Sequence, residues 1–345
     1  MSTCVHDRNR ALISRFRDAL YNLDGRKLNE QLNALFAPDA LIQLAHPLGN
    51  MIGPAALFEH AYRPLITAIP DLERRDYIVA AGPHGDENWV GCAGFYMGVF
   101  ERPWLGIPAT RHVVTMRYSE FFEIEGDRII AMHAMWDIPE VMMQARAWPM
   151  SPSVGREMHV PGPATQDGIV TGRRDPERSE HSLNLVNRMV NGLGRYAEGG
   201  MAAMQLERYW HPQMNWYGPS GIGSGRRISG FRNWHQIPFL AALPDRGSDL
   251  EKPYTQCFFG DGDYVAFCGF NAMYMTVSGD GWLGIAPGDQ KIRMTSLDFW
   301  RCEAGWLREN WVQIDILDIF RQLGVDVLGR MREYTVDRQL NPPAL

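Results

Sequence analysis

Two aspartates stand where a carboxyl group could take up and release protons. Asp315 follows the alternating segment 307–314, which is typical of a strand, and precedes apolar residues at helical spacing. A carboxylate at such a junction can cap the first helical turn through its free backbone N–H groups. It can equally project from the sheet into an apolar cavity, which raises its pKa toward neutrality and suits it to general acid–base work. The sequence leaves both roles open.

Asp137 occupies the same position in an earlier copy of this pattern. It lies 178 residues before Asp315 (315 − 137), and the same shift separates Trp104 from Trp282. Upstream the shift is 174, and it relates Pro64 to Pro238, Pro70 to Pro244 and Asp71 to Asp245. One register kept over this much chain indicates a tandem duplication. Because the period far exceeds that of solenoid repeats, each copy is expected to be a domain.

The length of 345 residues suits two domains of ordinary size. We place copy one at 1–146, a linker rich in proline and glycine at 147–178, copy two at 179–333 and a tail at 334–345. Prolines and glycines repeat throughout the linker, so we expect an extended connector that wraps over a domain.

Each copy has the same predicted order of elements: helix, helix, strand, helix, then several antiparallel strands. The third helix contains Pro64 in copy one and Pro238 in copy two. Proline removes one helical hydrogen bond and clashes with the preceding turn, so we expect the same bend twice. The order predicts an α+β fold in which about three helices cover one face of a curved, mostly antiparallel sheet.

Composition argues against several classes of partner. The net charge is −6 with no basic tract, which disfavours nucleic acid and anionic membrane. No apolar run is long enough to span a bilayer, and residues 1–10 lack a signal-peptide pattern. The five cysteines lack paired short spacing, so we expect reduced thiols in a cytoplasmic protein. Metal and nucleotide motifs are absent from the sequence, and we expect no cofactor.

Three further residues could join the chemistry. Glu120 and Asp298 match at the 178 shift and lie in the strand before the aspartates. A second acid beside Asp315 could raise one pKa by like-charge repulsion, but an exposed strand acid paired with an arginine is the interpretation we favour. His133 could act as an acid or base, since its pKa lies near physiological pH, or could be a hydrogen-bonded histidine without a catalytic role.

A larger set of side chains could line a pocket for a planar organic ligand. The candidates are Trp311, Gln313, Trp216, Tyr217, Trp234, His235, Tyr274, Trp282, His46, His60 and Trp104. Eleven tryptophans and 18 methionines supply adaptable apolar surface. For any one of these residues, packing in the core is the alternative.

The ending of copy two carries a resemblance to a known family. The last strand reads Glu-Asn-Trp-x3-Asp up to Asp315, and the following helix closes with Gln-Leu-Gly at Gly324. With the duplicated order and the Pro-Asp ending of the bent helix, this resembles the SnoaL-like polyketide cyclases. That family has the nuclear transport factor 2-like, ketosteroid isomerase-like cone fold. The resemblance covers residues 8–146 and 180–324.

The resemblance implies a role for both aspartates. In SnoaL-like cyclases an acidic residue near the end of the last strand acts as acid and base in an intramolecular aldol closure. That role falls to Asp315 and, in copy one, to Asp137. Copy one departs from the pattern, with His133 in place of Trp311. The family also implies that the two copies pack as an intramolecular pseudo-dimer through their convex sides, which is compatible with further homo-oligomers.

Two functional classes follow from these observations. One is a metal- and nucleotide-independent acid–base enzyme acting on a carbonyl-bearing small molecule by aldol cyclisation, isomerisation or hydration and dehydration. The other is a non-catalytic small-molecule-binding or accessory protein that uses the same pockets. The environment of Asp315 separates them. An enclosed cavity favours the enzyme, whereas hydrogen bonds only to backbone N–H groups favour the binding protein.

Overall fold

The computed structural model describes residues 4–21, 23–246, 255–279 and 281–340. The first half contains α1 (Val5–Tyr21), α2 (Gly25–Leu35), β1 (Phe36–Leu44), β2 (Gly49–Ile52), α3 (Gly53–Leu57), α4 (Arg63–Ala68), β3 (Glu73–His84), β4 (Glu87–Val99), β5 (Val113–Glu125), β6 (Arg128–Trp136) and α5 (Ile138–Gln144). The second half contains α6 (Pro176–Leu193), α7 (Tyr196–Met204), β7 (Trp210–Tyr217), β8 (Gly225–Arg226), α8 (Arg227–Phe231), α9 (Ile237–Ala242), β9 (Thr255–Asp261), β10 (Tyr264–Val277), β11 (Gln290–Glu303), β12 (Trp306–Ile314), α10 (Ile316–Gln322), α11 (Val327–Tyr334) and α12 (Val336–Leu340). In the described ranges, none of the helices has the length and apolar composition that crossing a bilayer requires.

Both halves build the same sheet. The strand orders are β2-β1-β6-β5-β4-β3 and β8-β7-β12-β11-β10-β9. In each sheet one pairing is parallel, β1 with β6 and β7 with β12, and the other pairings are antiparallel. The identical topology confirms the tandem duplication and the mostly antiparallel α+β fold predicted from the sequence.

The bent helix also occurs twice, as the two prolines predict. A π-helical turn, Phe58–Tyr62, joins α3 to α4, and a second, Arg232–Gln236, joins α8 to α9. Each turn ends just before a helix that carries the proline at its start. Because proline cannot donate the expected backbone bond, the chain gains an extra residue in the preceding turn and the helix changes direction.

Each sheet has a helix-covered face, which we call a cup. Cup one is the face that carries Tyr96, Glu120 and Trp136, and cup two is the face that carries Trp216 and Asp298. Successive residues of a strand point to opposite faces, so the alternate residues leave the cup and face the other half of the chain. Both faces of the central strands are therefore buried.

The outward faces of the two sheets pack against each other. The ring of Phe121 stacks on that of Phe299 with centroids 5.2 Å apart, and Phe259 meets Phe121 edge-on. These residues belong to a second apolar core that takes side chains from both halves. Strands β3 and β9 lie next to each other across this contact. The two halves thus form the intramolecular pseudo-dimer that the resemblance implies.

The segment between α5 and α6 contains no helix or strand and runs over the surface of both halves. Its Ile169 bridges to Val79 in the first half, and its Arg156 bridges to Ser224 in the second. Val160 is buried in the core between the sheets. The connector is thereby tied down at three places along its length.

Phe299→Ala should destabilise the whole chain, because it removes a fully buried ring from the contact between the sheets. We expect the free energy of unfolding to fall by about 3–5 kcal/mol. Urea denaturation followed by tryptophan fluorescence measures the change. The control is Val113→Ala, where the side chain is 59% exposed. A loss for Phe299→Ala as small as that of the control would mean that the sheets do not depend on each other.

Candidate functional site

A buried arginine occupies the centre of cup one. Arg74 pairs with Asp76 at 2.9 Å and with Glu120 at 2.5 Å, and all three side chains are removed from solvent. Its guanidinium group lies 4.2 Å from the ring centroid of Tyr118 and 5.1 Å from that of Phe16. Two carboxylates and two aromatic faces compensate the buried positive charge, so the cluster is self-contained.

Glu120 is fully enclosed in this cluster. Besides Arg74, the Tyr96 hydroxyl donates to its carboxylate at 3.0 Å and the Trp136 indole N–H donates at 2.9 Å. The interpretation of Glu120 as an exposed strand acid is wrong, because the cup face of β5 lies beneath the helices. The pairing with an arginine is confirmed, but in the interior. Three donors thus hold this one carboxylate in place.

Asp298 takes the equivalent position in cup two (298 − 120 = 178) but has different neighbouring residues. It is 8% exposed, so the exposed interpretation is wrong for this residue as well. The Ser296 hydroxyl donates to it at 2.5 Å, and within the described ranges no ion pair joins it to a cation. Burial raises the pKa of Asp298 to about 7, while hydrogen bonding from Ser296 and Asn310 and the charge of Arg246 oppose the rise.

The residues around Asp298 explain this difference between the cups. The duplication aligns Tyr62 with Gln236, Tyr118 with Ser296, Met132 with Asn310 and Trp136 with Ile314. Two tyrosines and a tryptophan of cup one are thus replaced by smaller side chains in cup two. The cup-one acid is bound by aromatic donors and an arginine, whereas the cup-two acid lies beside short polar groups.

Cup two contains polar atoms that have no hydrogen-bond partner among the described residues. They include His235 Nδ1 and Gln236 Oε1 on the π-helical turn, and Trp300 Nε1 on β11. His235 stacks on Trp216 with centroids 4.2 Å apart and an interplanar angle of 14°. Burial lowers the pKa of His235 to about 3, so its ring is neutral at pH 7. Buried polar groups without partners mark places where a ligand or water can bind.

Asp137 and Asp315 lie outside both cups, where the two halves meet. Asp315 Oδ1 accepts from the Asp318 N–H at 3.0 Å, and its Oδ2 accepts from the His46 N–H at 2.8 Å in the other half. Asp137 caps α5 in the same way and accepts from the Ser220 N–H at 3.1 Å. His46 and Ser220 are themselves related by the 174 shift (220 − 46), so the two contacts are reciprocal, as in a symmetric dimer.

The two aspartates differ in their remaining contacts. Arg117 binds Asp137 at 2.6 Å, and both side chains are buried. Among the residues that the structure describes, no cation forms an ion pair with Asp315, and burial raises its pKa to about 7 against the two backbone N–H bonds. Both carboxylates therefore serve as helix caps and as bridges between the halves. Their predicted role in acid–base chemistry stays a prediction.

Four other candidates face the contact between the halves. His133 lies between Trp89 and Phe270, with ring centroids 5.6 and 5.5 Å away, and burial lowers its pKa to about 4. Trp311 donates its indole N–H to the Pro161 carbonyl at 2.9 Å. Tyr217 packs on Trp311, and Gln313 shares that face of β12. The strand alternation predicted for Trp311, Gln313 and Asp315 is confirmed, but their common face is directed away from the cup.

The remaining candidates are dispersed. Trp216, His235 and Trp282 belong to cup two and its rim. Trp234 is half exposed beside that rim, His60 is exposed on the first half, and Trp104 is buried in the rim loop of cup one. Tyr274 pairs with Arg293 across β10 and β11, on the face opposite the apolar cup residues. His46 lies in the loop after β1, beside α10 and α11.

Sequence reasoning missed several residues of the two cups. Arg74 was not identified from the sequence because β3 has an irregular register between Asp76 and Ile78. This irregularity breaks the alternation of side chains between the two faces of the strand. Arg246 follows the Pro-Asp ending of the bent helix, which was used only as a family signature. Ser296 and Asn310 could have been found by asking which neighbours of Asp298 share its face at even spacing along β11 and at the paired positions of β12.

The fold resembles several solved structures. One is AclR, a proposed hydroxylase from Streptomyces galilaeus, at 13% identity and a TM-score of 0.36, covering 43% of this chain and 87% of that one. Another is a proposed SnoaL-like polyketide cyclase from Jannaschia sp., at 18% identity and a TM-score of 0.35, covering 41% and 95%. A third is a protein of ketosteroid isomerase-like fold from Catenulispora acidiphila in complex with trimethylamine, at 18% identity and a TM-score of 0.30, covering 39% and 92%.

Each match covers about the length of one half of this chain and most of the other protein. Two of these three proteins are described as SnoaL-like or ketosteroid isomerase-like. No protein-family model and no curated protein matches the chain. At these identities and TM-scores the likeness concerns the fold, and the activities in those names belong to those proteins.

Asp137→Ala should cost more stability than the loss of an ordinary helix cap, because it leaves the buried Arg117 without its nearest partner. We expect the free energy of unfolding to fall by about 3 kcal/mol or more. The matched control is Asp326→Ala, since Asp326 caps α11 through one bond to Gly329 N–H and is 73% exposed. For that variant we expect a loss of about 1 kcal/mol. Equal losses in urea unfolding would refute the bridging role of Asp137.

Proposed function

We propose that cup two carries out acid–base chemistry on a small carbonyl compound, with Asp298 as the group that moves the proton. The observation that carries this proposal is a buried carboxyl with no ion-pair partner in the described residues and a pKa of about 7. A general base works best when its pKa lies near the operating pH. At pH 7 such a group can accept a proton in one step and return it in the next.

The chemistry would begin with removal of a proton from the carbon next to a carbonyl. Asp298 accepts this proton, and negative charge moves to the carbonyl oxygen as an enolate. Arg246 lies near Asp298 and its positive charge favours a nearby anion. Isomerisation, intramolecular aldol closure and dehydration of a β-hydroxy carbonyl compound share this first step. The three reactions named from the resemblance therefore need only one kind of base.

Cup one does not offer the same chemistry. Glu120 is held by Arg74 and two further donors, so a substrate would have to break a buried ion pair before reaching it. Removing one partner from such a pair costs several kcal/mol (about 3–5). The ion pair in cup one thus supports a structural role, and the functional pocket is assigned to cup two.

The resemblance assigns the acid–base role to Asp315, and the geometry favours Asp298 in its place. Both oxygens of Asp315 already accept backbone N–H groups, one from each half of the chain. A carboxylate used in this way has little freedom to meet a substrate. Asp298 instead lies on the cup face of β11, beside the hydroxyl of Ser296 and the amide of Asn310.

A second candidate function is ligand binding without turnover. The backbone-only contacts of Asp315 favour it, because they account for this aspartate as a cap and a bridge between the halves. On this alternative, the partnerless polar atoms of cup two hold a small molecule and Asp298 only hydrogen-bonds to it.

Proton exchange at carbonyl-adjacent carbons tests the enzymatic proposal. A panel of aryl and cyclic ketones is incubated with the protein in D₂O, and NMR follows the replacement of α-protons by deuterium. We expect exchange with at least one ketone, at a rate that rises through a pH of about 7 as Asp298 ionises. Asp298→Asn should lower the rate by a factor of about 10² or more.

Asp315→Asn is the matched comparison, because it makes the same chemical change at the other buried aspartate with a pKa of about 7. It should retain the exchange rate within a few-fold. Loss of exchange only in Asp315→Asn would transfer the role to Asp315. A folded wild-type protein that binds a ketone of the panel but exchanges none of its protons would favour the binding protein.

Stability should depend on pH through Asp298. Its pKa is higher in the folded protein than in the unfolded chain, so its contribution is present below a pH of about 4 and is lost as the pH rises through about 7. Asp298→Asn removes this dependence. At pH 8 we expect the variant to be more stable than the wild-type protein by on the order of 4 kcal/mol, at about 1.4 kcal/mol per pKa unit.

Urea unfolding of both proteins between pH 4 and pH 8 measures this difference. The two stability curves should converge toward pH 4 and separate as the pH rises. Parallel curves over the whole range would show that Asp298 titrates alike in the folded and unfolded chains.

A further inference from the structure

A segment from elsewhere in the chain covers the rim of each cup. In cup one, the rim loop at Gly106 lies against α11, and a Cβ added there would stand 3.5 Å from Met331 Cε. In cup two, the rim loop at Gly284 lies against the connector, where an added Cβ would collide with the Ser151 hydroxyl. The second half thus covers the cup of the first, and the segment that follows the first half covers the cup of the second.

The two covers differ in how tightly they close. Met331 is completely buried against the rim of cup one. At cup two the connector leaves a cavity of about 130 Å³, lined on one side by Ser151, Pro152 and Val154. On the other side the cavity is lined by Trp234, His235 and Trp282, together with the glycine-rich rim loop. Aromatic and aliphatic surface therefore dominates both walls.

The volume of this cavity limits what it can hold. An apolar cavity of about 150 Å³ is known to bind benzene. A space of about 130 Å³ therefore has room for one six-membered ring. Two indole side chains among its walls offer the faces and edges on which an aromatic ring packs favourably.

One polar side chain gives the cavity a chemical preference. The imidazole ring of His235, a half-buried residue, lines the cavity. A neutral imidazole can accept a hydrogen bond from a hydroxyl group or donate one to a carbonyl, depending on its tautomer. A ring that carries such a group can hydrogen-bond to this imidazole, whereas a plain hydrocarbon ring cannot.

His235 also connects the cavity with the interior of cup two. One face of its ring stacks on Trp216, and its ring lies 5.2 Å from that of Phe239. Phe239 in turn lies under the guanidinium group of Arg246, whose charge acts on Asp298. A molecule bound at the rim is therefore next to the residues around the proposed base.

We propose that the cavity at the rim of cup two is a subsite for a single aromatic ring bearing a hydroxyl or carbonyl group, with residues 151–154 of the connector as its outer wall. The use of the bound ring rests on the proposed function. The binding of the ring at this subsite does not depend on that function. It makes the connector part of the site, so that neither half of the chain alone forms the complete site.

Phenol and toluene are a matched pair of probes, since they have nearly the same size and differ in the hydroxyl group. Binding is followed by NMR on protein labelled with ¹⁵N in its tryptophan indoles, whose signals are assigned with Trp234→Phe and Trp282→Phe. We expect phenol to shift the signals of Trp234 and Trp282 before any other indole signal. Shifts confined to other tryptophans would overturn the location of the subsite.

Two substitutions test the walls. Val154→Trp places a large side chain in the exposed outer wall and should weaken phenol binding about tenfold or more, whereas the exposed Val113→Trp control on the first half should leave it unchanged. His235→Phe should weaken phenol binding several-fold, by the loss of one hydrogen bond, and leave toluene binding within about twofold. Unchanged phenol binding in Val154→Trp, or an equal loss of both probes in His235→Phe, would refute the proposal.

Asp298→Asn separates this inference from the proposed function. The substitution should lower the rate of proton exchange by a factor of about 10² or more and leave phenol binding intact. If no ketone exchanges but phenol binds at the rim, the subsite stands and the enzymatic proposal fails. If exchange depends on Asp298 but phenol does not shift the signals of Trp234 and Trp282, the enzymatic proposal stands and the subsite proposal fails.

Discussion

The contact between the two sheets is the constraint on which the rest of the structure depends. Each sheet has two apolar faces, and helices cover only one of them, so the other must be buried elsewhere. Phe121 and Phe299 stack at the centre of this contact, and the reciprocal bonds from His46 and Ser220 to the aspartate caps fix its edges. Residues that could have served chemistry in a single domain are here used to hold two domains together.

The two duplicated cups differ in how their acids are paired. Cup one is filled by Arg74, its two carboxylates and the surrounding aromatic rings, and the arginine is paired with both carboxylates. Cup two keeps an acid at the equivalent position without that arginine, and burial raises the pKa of Asp298 to about 7.

Each cup is covered by a segment from elsewhere in the chain, and this is a second way in which the halves depend on each other. The C-terminal α11 closes the first cup, while the connector closes the second and leaves space beneath it. A connector that also forms a wall must keep its position, and its contacts with Ser224, Val79 and the core between the sheets provide that. Prolines make an extended chain semi-rigid, so the proline content of the connector is consistent with this use.

Much of the architecture could be predicted from the sequence. The constant shift between the copies gave the duplication, and the two prolines gave the bent helices, because both signals are local and survive any packing. The order of helices and strands gave the α+β class for the same reason. The acids at 120, 137, 298 and 315 were also recognisable as pairs before their surroundings were known.

Only the tertiary structure decided which face of each strand serves which purpose. Residues 309–314 of β12 are buried on both faces, so alternation separates Trp311 from Asn310 without telling which one faces the cup. The irregular register in β3 and the arginine in cup one depend on contacts between distant strands, which no local pattern records. The sequence by itself therefore determined the two copies and their acids, and tertiary packing determined which of these acids form ion pairs and which bridge the two halves.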